Sequence, residues 1–402
     1  MKFLKKYSEI IGEKEVNRIF EEATPLCSRH FVHINSTHYG GGVAEILNSL
    51  VYLMNDVGLK TGWRVIAGPW DFFEITKKFH NAMHGEKINL SPMKKRIHLK
   101  YNERNAFIQH IEDHDYVIVH DPQPVPLINY YDKKHTWIWR FHLDSSHPNR
   151  EVWNYLKQFI EKYDAAIFSH EKFAQKLKIP HYIIYPSIDP LNEKNKEVKE
   201  SKCRKFLSKR GVDFDKPIIS MISRFDKWKD FPEMIKSFEK IKKEVDCRLV
   251  LLGNTADDDP EGKEIYDKIK KLANGNDSVL LLTENNSFLV NALQRSSEIV
   301  FQRSIKEGFA LTVSEALWKE TPVIASKVGG IPLQVLDGKT GYLTNNSDDT
   351  AKRAVKLLKN EKLRKQLGKQ GKEHVRKNFL ITRHLMDYIK LFKELELKKL
   401  KQ

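Results

Sequence analysis

The sequence predicts an α/β protein built from two doubly wound parallel sheets. Three observations predict it. Short runs rich in Val and Ile recur along the chain, as strands buried on both faces do. The segments between them carry helical periodicity, as in Val43–Val57 and Val313–Lys319. Strands alternating with helices point to parallel sheets covered on both sides. Finally, a polar stretch over Leu191–Lys209, LNEKNKEVKESKCRKFLSK, divides the runs into two sets.

Taken in order, the expected strands of the first set are Phe31–Ile34, Trp63–Ala67, Tyr116–His120, Trp137–Phe141, Ala165–Ser169 and Tyr182–Tyr185. Those of the second set are Pro217–Ile222, Arg248–Leu252, Val279–Leu282, Glu298–Phe301 and Pro322–Ala325. They are too many for one comfortable sheet. The expected domains are therefore residues 1–190, ending at Asp189-Pro190, and residues 191–375, followed by a basic helical tail over 376–402 that packs back toward the first domain. Two such domains leave a cleft, and ligands of doubly wound sheets sit beyond the carboxyl ends of the strands.

A length of 402 residues suits two or three domains, and hydrophobic and aromatic contents of 40% and 10% exclude a disordered chain. Lys and Arg number 69 against 53 Asp and Glu, a formal net charge of +16. That surplus suits anionic partners without choosing among nucleic acid, anionic lipid and phosphorylated small molecules. No apolar run approaches the roughly 18–20 residues of a membrane span. The start, MKFLKKYSEIIGEKE, has early positive charge but no apolar core of a secretory signal. Cys27, Cys203 and Cys247 form no disulfide framework and match no zinc spacing, so a reduced cytoplasmic location is expected.

Chemistry is expected in the loops after the strands. After the first strand comes Asn35-Ser36-Thr37-His38-Tyr39-Gly40-Gly41-Gly42, and then a helical run. Glycines at such a turn allow close backbone approach, and the helix N-terminus offers free N–H groups to an anion. Alone, the segment reads equally as a tight turn without a ligand, and its spacing is not GxGxxG. The first strand of the second set leads into Ser223-Arg224-Phe225-Asp226-Lys227-Trp228-Lys229-Asp230. Arg224 can fork onto phosphate oxygens and Lys229 can act as a point charge, neutralising a diphosphate without a metal. Alone, this too reads as a solvated loop.

Most informative is Glu307-Gly308-Phe309-Ala310-Leu311-Thr312-Val313-Ser314-Glu315. It places a small-residue turn before a helix, with one carboxylate in the turn and the other expected on the first helical turn. Carboxylates have only acceptors and suit neighbouring sugar hydroxyls. Singly, Glu307 reads as a turn carboxylate and Glu315 as a residue favoured by the helix dipole.

Other patterns carry less. Asp257-Asp258-Asp259 satisfies the DxD pattern of metal-dependent sugar transfer, yet it precedes Pro260-Glu261-Gly262 and a helical run, as a capping loop does. His80 with His84, and His110 with His114, have the spacing of helical metal ligands but lack the Glu of HExxH and a third ligand. The basic tail has no nucleic-acid motif and reads as a solvated helix face.

The Gly-rich loop, Arg224 with Lys229, and Glu-x7-Glu are together more specific than apart. The combination resembles the family-four retaining glycosyltransferases, which have the GT-B fold of two Rossmann-like domains facing across a cleft. Val328–Pro332 (VGGIP) and Asp337–Gly341 (DGKTG) also look like that family. Gly40–Leu47 (GGGVAEIL), His120–Pro124 (HDPQP), Trp139–Asp144 (WRFHLD), Pro186–Leu191 (PSIDPL), Arg224–Lys229 (RFDKWK), Asp258–Gly262 (DDPEG) and Glu307–Lys319 (EGFALTVSEALWK) narrow the match. They resemble the trehalose glycosyltransferring synthases over roughly residues 30–390. The one departure is Ala310, where that family usually has glycine.

The resemblance implies transfer of glucose from ADP-, UDP- or GDP-glucose to free D-glucose, giving α,α-trehalose with retention. It implies that Glu307 lies against the transferred sugar, Glu315 holds the ribose diol, and Arg224 and Lys229 neutralise the diphosphate. Gly41 and Gly42 would close over it, with Gly308, Phe309, Ala310, Leu311 and Thr312 lining the donor. His142 would lie near the anomeric centre, with Asn35, Asp121, Arg140 and Asp144 on the acceptor side. No metal site and no required cofactor are expected, though Mg²⁺ could assist. The expected partners are the nucleotide-glucose, glucose and trehalose, with no nucleic acid, no stable membrane insertion and room for a homodimer. A trehalose phosphorylase, or a GT-B enzyme acting on another sugar or a lipid-linked acceptor, is the alternative.

Overall fold

The computed structural model describes residues 3–253 and 262–400. Its strands are β1 (His30–Asn35), β2 (Lys60–Val65), β3 (Tyr116–His120), β4 (Thr136–Arg140), β5 (Ala165–Phe168), β6 (His181–Ile183), β7 (Ile218–Ile222), β8 (Arg248–Leu252), β9 (Val279–Leu282), β10 (Ile299–Gln302), β11 (Val323–Ser326) and β12 (Gly341–Thr344). Every expected strand is found within a few residues. Strand β12 was not expected, because its four residues follow directly on the DGKTG turn and carry no long apolar run.

The chain divides into two compact units, one of Met1–Ser187 with Ile381–Gln402, the other of Ile188–Leu380. The change of unit thus falls at Ser187/Ile188 rather than after Pro190, and the tail is split, with Arg376–Leu380 belonging to the second unit. Leu191–Lys209 is more than a polar divider. It contains the helix Glu200–Ser208, whose Cys203 and Leu207 are buried in the second unit's core with Ile218, Ile222 and Leu293.

In the first unit six strands run parallel in the order β2-β1-β3-β4-β5-β6, with Phe31 opposite Tyr116 and His120 opposite Arg140. The helix Ile381–Lys399 packs on this sheet, its Phe392 ring 4.7 Å from Phe31 and 4.9 Å from Tyr116. In the second unit the order is β12-β11-β10-β7-β8-β9. Alternate residues there feed two cores: Ile219, Met221, Leu249 and Leu251 on one face, and Ile218, Ile222, Val250 and Leu252 on the other. This explains the continuous apolar runs, since a strand covered on both faces has no polar side.

Each order reverses direction once, at β1/β3 in the first unit and at β7/β10 in the second. Such switch points open crevices at the carboxyl ends of their strands.

Candidate active site

In the second unit the loop after β7 meets the loop after β10. Backbone bonds join them, Ile305 N–H donating to Trp228 O at 2.8 Å and Asp230 N–H to Arg303 O at 3.3 Å. The union brings Lys229 Nζ onto Glu307, and the two side chains are only 13% and 11% exposed. Ser304 Oγ donates to the same carboxylate at 3.3 Å, and Gln302 Nε2 lies 3.5 Å away. Arg224 lies beside Asp226, with Nη2 3.5 Å from its carboxylate, and keeps a third of its side chain exposed. The 224–230 loop is held by Asp226, whose carboxylate accepts from Trp228 N–H at 2.9 Å. So Lys229 and Glu307 come together, while Arg224, on the same loop as Lys229, is paired with Asp226.

The turn over residues 307–310 is fixed by its surroundings. A Cβ on Gly329 would sit 1.6 Å from Glu307 O, and one on Gly330 would sit 2.5 Å from Gly308 O. Only glycine permits that approach, which is why VGGIP accompanies the Glu motif. Gln334 donates to Phe309 O and accepts from Ser314 Oγ at 2.6 Å. Ala310 has φ of 70°, the left-handed region that glycine favours and a Cβ strains.

The helix begins at Leu311, with Ala310 as its N-cap, and has no acidic residue in its first turn. Glu315 therefore stands on the second turn, which corrects the expected first-turn position and removes the dipole account of it, since that effect fades within one turn. Glu315 is 3% exposed, and Lys194 Nζ lies 3.7 Å from its carboxylate. Lys319, one turn on, is also buried and donates to Asn195 Oδ1 at 2.8 Å and Glu315 O at 3.0 Å. Burial pulls the Lys319 ammonium down from its ordinary range, against the pull of Glu315. Leu311 and Thr312 sit at the helix start, and Phe309 is buried against the Phe379 ring at 5.4 Å.

In the first unit the β1/β3 switch point carries imidazoles. His33 Nδ1 lies 2.9 Å from His120 Nε2, and His120 Nδ1 lies 2.9 Å from His142 Nε2. Burial holds all three below the usual histidine range, His33 at about 3. The Arg140 charge adds to this at His142 and His120. Asp121, with φ of 64°, accepts His142 N–H at 2.9 Å, and burial pushes its carboxyl up to about 7.

The remaining acceptor-side candidates are engaged within the unit. Arg140 is wholly buried, donates to Ile184 O at 2.8 Å, and offers no surface to a ligand. Asp144 accepts from Ser146 N–H at 2.9 Å and Ser146 Oγ at 2.6 Å, a local turn. Asn35 is 3% exposed, donates to Thr37 O at 2.7 Å and accepts from Trp63 Nε1 at 2.7 Å. Gly41 is the extended N-cap of the helix Gly42–Asp56, which has no side-chain cap, and a Cβ on Gly41 would meet nothing within 4 Å.

Sequence reasoning missed His33, Lys194, Asn195, Ser304 and Lys319. A signal existed for His33, a polar residue inside an otherwise buried apolar strand. None existed for Lys194, which lies in the polar divider.

Among the described residues no group of three or more His, Cys, Asp or Glu is placed to hold a metal. The aspartates 257–259 and the DDPEG stretch lie outside the described residues, save Gly262. His80 and His84 do approach, their rings 5.3 Å apart, whereas His110 ends its helix with φ of 47°, so His110 and His114 do not share a helix face. The three cysteines are free thiols, and no described helix is long and apolar enough to cross a membrane.

Compared with known proteins, residues 33–175 match the family of trehalose synthase N-terminal domains and residues 204–374 the glycosyl transferases group 1. The trehalose synthase of Thermococcus litoralis is 45% identical over 397 residues, covering 97% of this chain and 96% of that one. The chain belongs to the trehalose synthase family. It is a glycosyltransferase of trehalose metabolism with the GT-B fold. A trehalose phosphorylase of Pleurotus pulmonarius is 28% identical over 408 residues, 87% of this chain but 54% of that one. In fold, the α,α-trehalose-phosphate synthase (UDP-forming) of Burkholderia vietnamiensis superposes with a TM-score of 0.74 at 13% identity, covering 91% of this chain and all of that one.

Proposed function

We propose that this family member is a retaining glucosyltransferase that moves glucose from a nucleoside diphosphate glucose to free D-glucose, giving α,α-trehalose. The observation that carries the reading is the buried Lys229–Glu307 pair at the β7/β10 switch point, on a loop that also carries Arg224. Glycosyl transfer passes through an oxocarbenium-like state while charge builds on the leaving diphosphate. Arg224, and Lys229 once it has turned from Glu307, supply cations for that charge. Glu307, neutralised in the resting site by Lys229, is released toward the sugar hydroxyls as Lys229 turns to the diphosphate. Glu315 takes the ribose diol, exchanging its contact with Lys194. On the first unit, His142 serves the reacting sugar, and the uncapped start of the helix Gly42–Asp56 suits an anion.

No second carboxylate is needed as nucleophile if the leaving phosphate takes the acceptor's proton on the same face. No metal enters this scheme, and the enzyme is expected to work in chelator. The test is incubation with glucose and each of ADP-, UDP- and GDP-glucose in EDTA, with the product identified by NMR. α,α-Trehalose from one of them supports the reading. Glucose 1-phosphate formed from trehalose and inorganic phosphate, with no nucleotide-dependent product, replaces it by phosphorolysis.

A further inference from the structure

The three imidazoles at the first switch point come from β1, β3 and the segment after β4, and they form one chain. The rings of His120 and His142 lie within 13° of parallel with centroids 5.2 Å apart. With their nitrogens 2.9 Å apart, this is an in-line, edge-to-edge hydrogen bond rather than a face stack. His33 and His120 have the same centroid separation, tilted by 39°. We propose that His33 and His120 are positioning residues that fix the proton of the His142 imidazole on Nδ1.

The argument is one of proton counting. A neutral imidazole has one donor and one acceptor nitrogen. Two linked bonds therefore leave two arrangements, with every proton on Nδ1 or every proton on Nε2. In the second, His33 would carry its N–H on Nε2, a buried atom without a partner. Orphaned buried N–H groups are rarer than under-satisfied acceptors. The first arrangement is therefore favoured. His33 donates to His120, His120 donates to His142 Nε2, and the remaining proton of the half-buried His142 sits on Nδ1. A charged ring would break the counting. The surroundings oppose one: burial of all three rings, Arg140 from β4 beside His120 and His142, and His384 from the helix Ile381–Lys399 beside His142 all disfavour an added cation. Tyr388 on that helix meets the His33 ring edge-on at 5.8 Å, and Asp121 touches His142 only through its backbone N–H.

The tautomer matters for transfer because it decides whether His142 presents a donor or an acceptor to the sugar. That consequence rests on the function proposed above; the tautomer itself does not. Protein carrying ¹⁵N-labelled histidine reads it directly in the intact chain at pH 7.5. His142 is expected with Nδ1 protonated and Nε2 bare, and the reverse overturns the proposal. In His33→Leu, which keeps bulk and removes the donor, His142 is expected to show mixed tautomers and kcat to fall about tenfold with donor KM unchanged. His33→Asn, whose amide N–H stands in for Nδ1–H, should restore both. Equal losses in the two variants with an unchanged His142 spectrum would reduce the chain to packing and overturn the proposal. If His33→Leu does not fold, the wild-type spectrum and His33→Asn still decide. A wild type that transfers no glucose yet shows the Nδ1 tautomer would sink the function and support the chain.

Discussion

At its switch point the first unit carries neutral imidazoles, whereas the second carries charged groups in close pairs. Of the 16 histidines in the chain, all but His374 lie in the first unit. His33, His98, His120, His142 and His384 are each held uncharged by burial. In the second unit the buried charged groups include Lys229 with Glu307, Lys194 with Glu315, Lys319, and Arg303, whose Nη1 donates to Thr344 Oγ1 at 2.9 Å. Both sheets are six-stranded and parallel, so the scaffold does not dictate the difference. A doubly wound unit fixes where a site stands, and the residues at the strand ends fix its electrostatics.

Acid should break the comparison most strongly. A histidine whose folded pKa lies below its unfolded value binds its proton only on unfolding. Its contribution to stability is therefore complete above about 6.5 and is lost as pH falls from there toward the folded pKa. Asp121 works in the opposite sense, since its raised pKa of about 7 favours the folded state as pH falls through 7. Five histidines against one aspartate still leave on the order of 5 kcal/mol lost per pH unit below 6.5, within the whole stability of a domain. Hydrogen exchange, corrected for intrinsic rates, should show first-unit strands losing protection between pH 6.5 and 5 before second-unit strands. Parallel loss in both units would refute the contrast.

The charged site should answer next. Glu307→Gln keeps size but removes charge, leaves Lys229 without its counter-ion and, on the proposed function, weakens contacts to the sugar that strengthen in the transition state. A fall in kcat of about 100-fold is expected, with donor KM less affected. Steady-state kinetics check it, and a change confined to KM would assign Glu307 to uniform binding instead.

Arg224→Ala follows, expected to cost about 1.5–3 kcal/mol in kcat/KM for the donor while glucose binding hardly changes. Unchanged donor kinetics would return the loop to solvent. Glu315→Ala belongs beside it, raising donor KM, and a 2′-deoxyribose donor should lose little more in that variant. Equal losses for that donor in both proteins would mean that Glu315 does not hold the ribose.

The smallest effect sharpens the comparison at the backbone. Ala310 is left-handed where glycine is at ease, so Ala310→Gly should stabilise the second unit by about 0.5–1 kcal/mol, after the greater entropy glycine loses on folding. Urea unfolding checks this, and a loss of stability would show that the strain is relieved elsewhere.

Much of this molecule was legible in its sequence because the signals were local. A strand covered on both faces must be apolar throughout, so β1 to β11 showed themselves as runs, whereas β12 was too short and too close to a turn. The glycines of VGGIP and the spacing of Glu307 and Glu315 were equally visible, being demands of backbone geometry on a few consecutive residues. Tertiary structure alone decided which charges meet. Lys229 and Glu307 are 78 positions apart, and His33 and His120 are 87 apart. No periodicity links such residues, because their meeting depends on strand order: β10 beside β7, and β3 beside β1. Burial is decided in the same way. Only once each unit packs around His33, Arg140 and Lys319 does water leave them, and only then do their charges become costly enough to shape the chemistry.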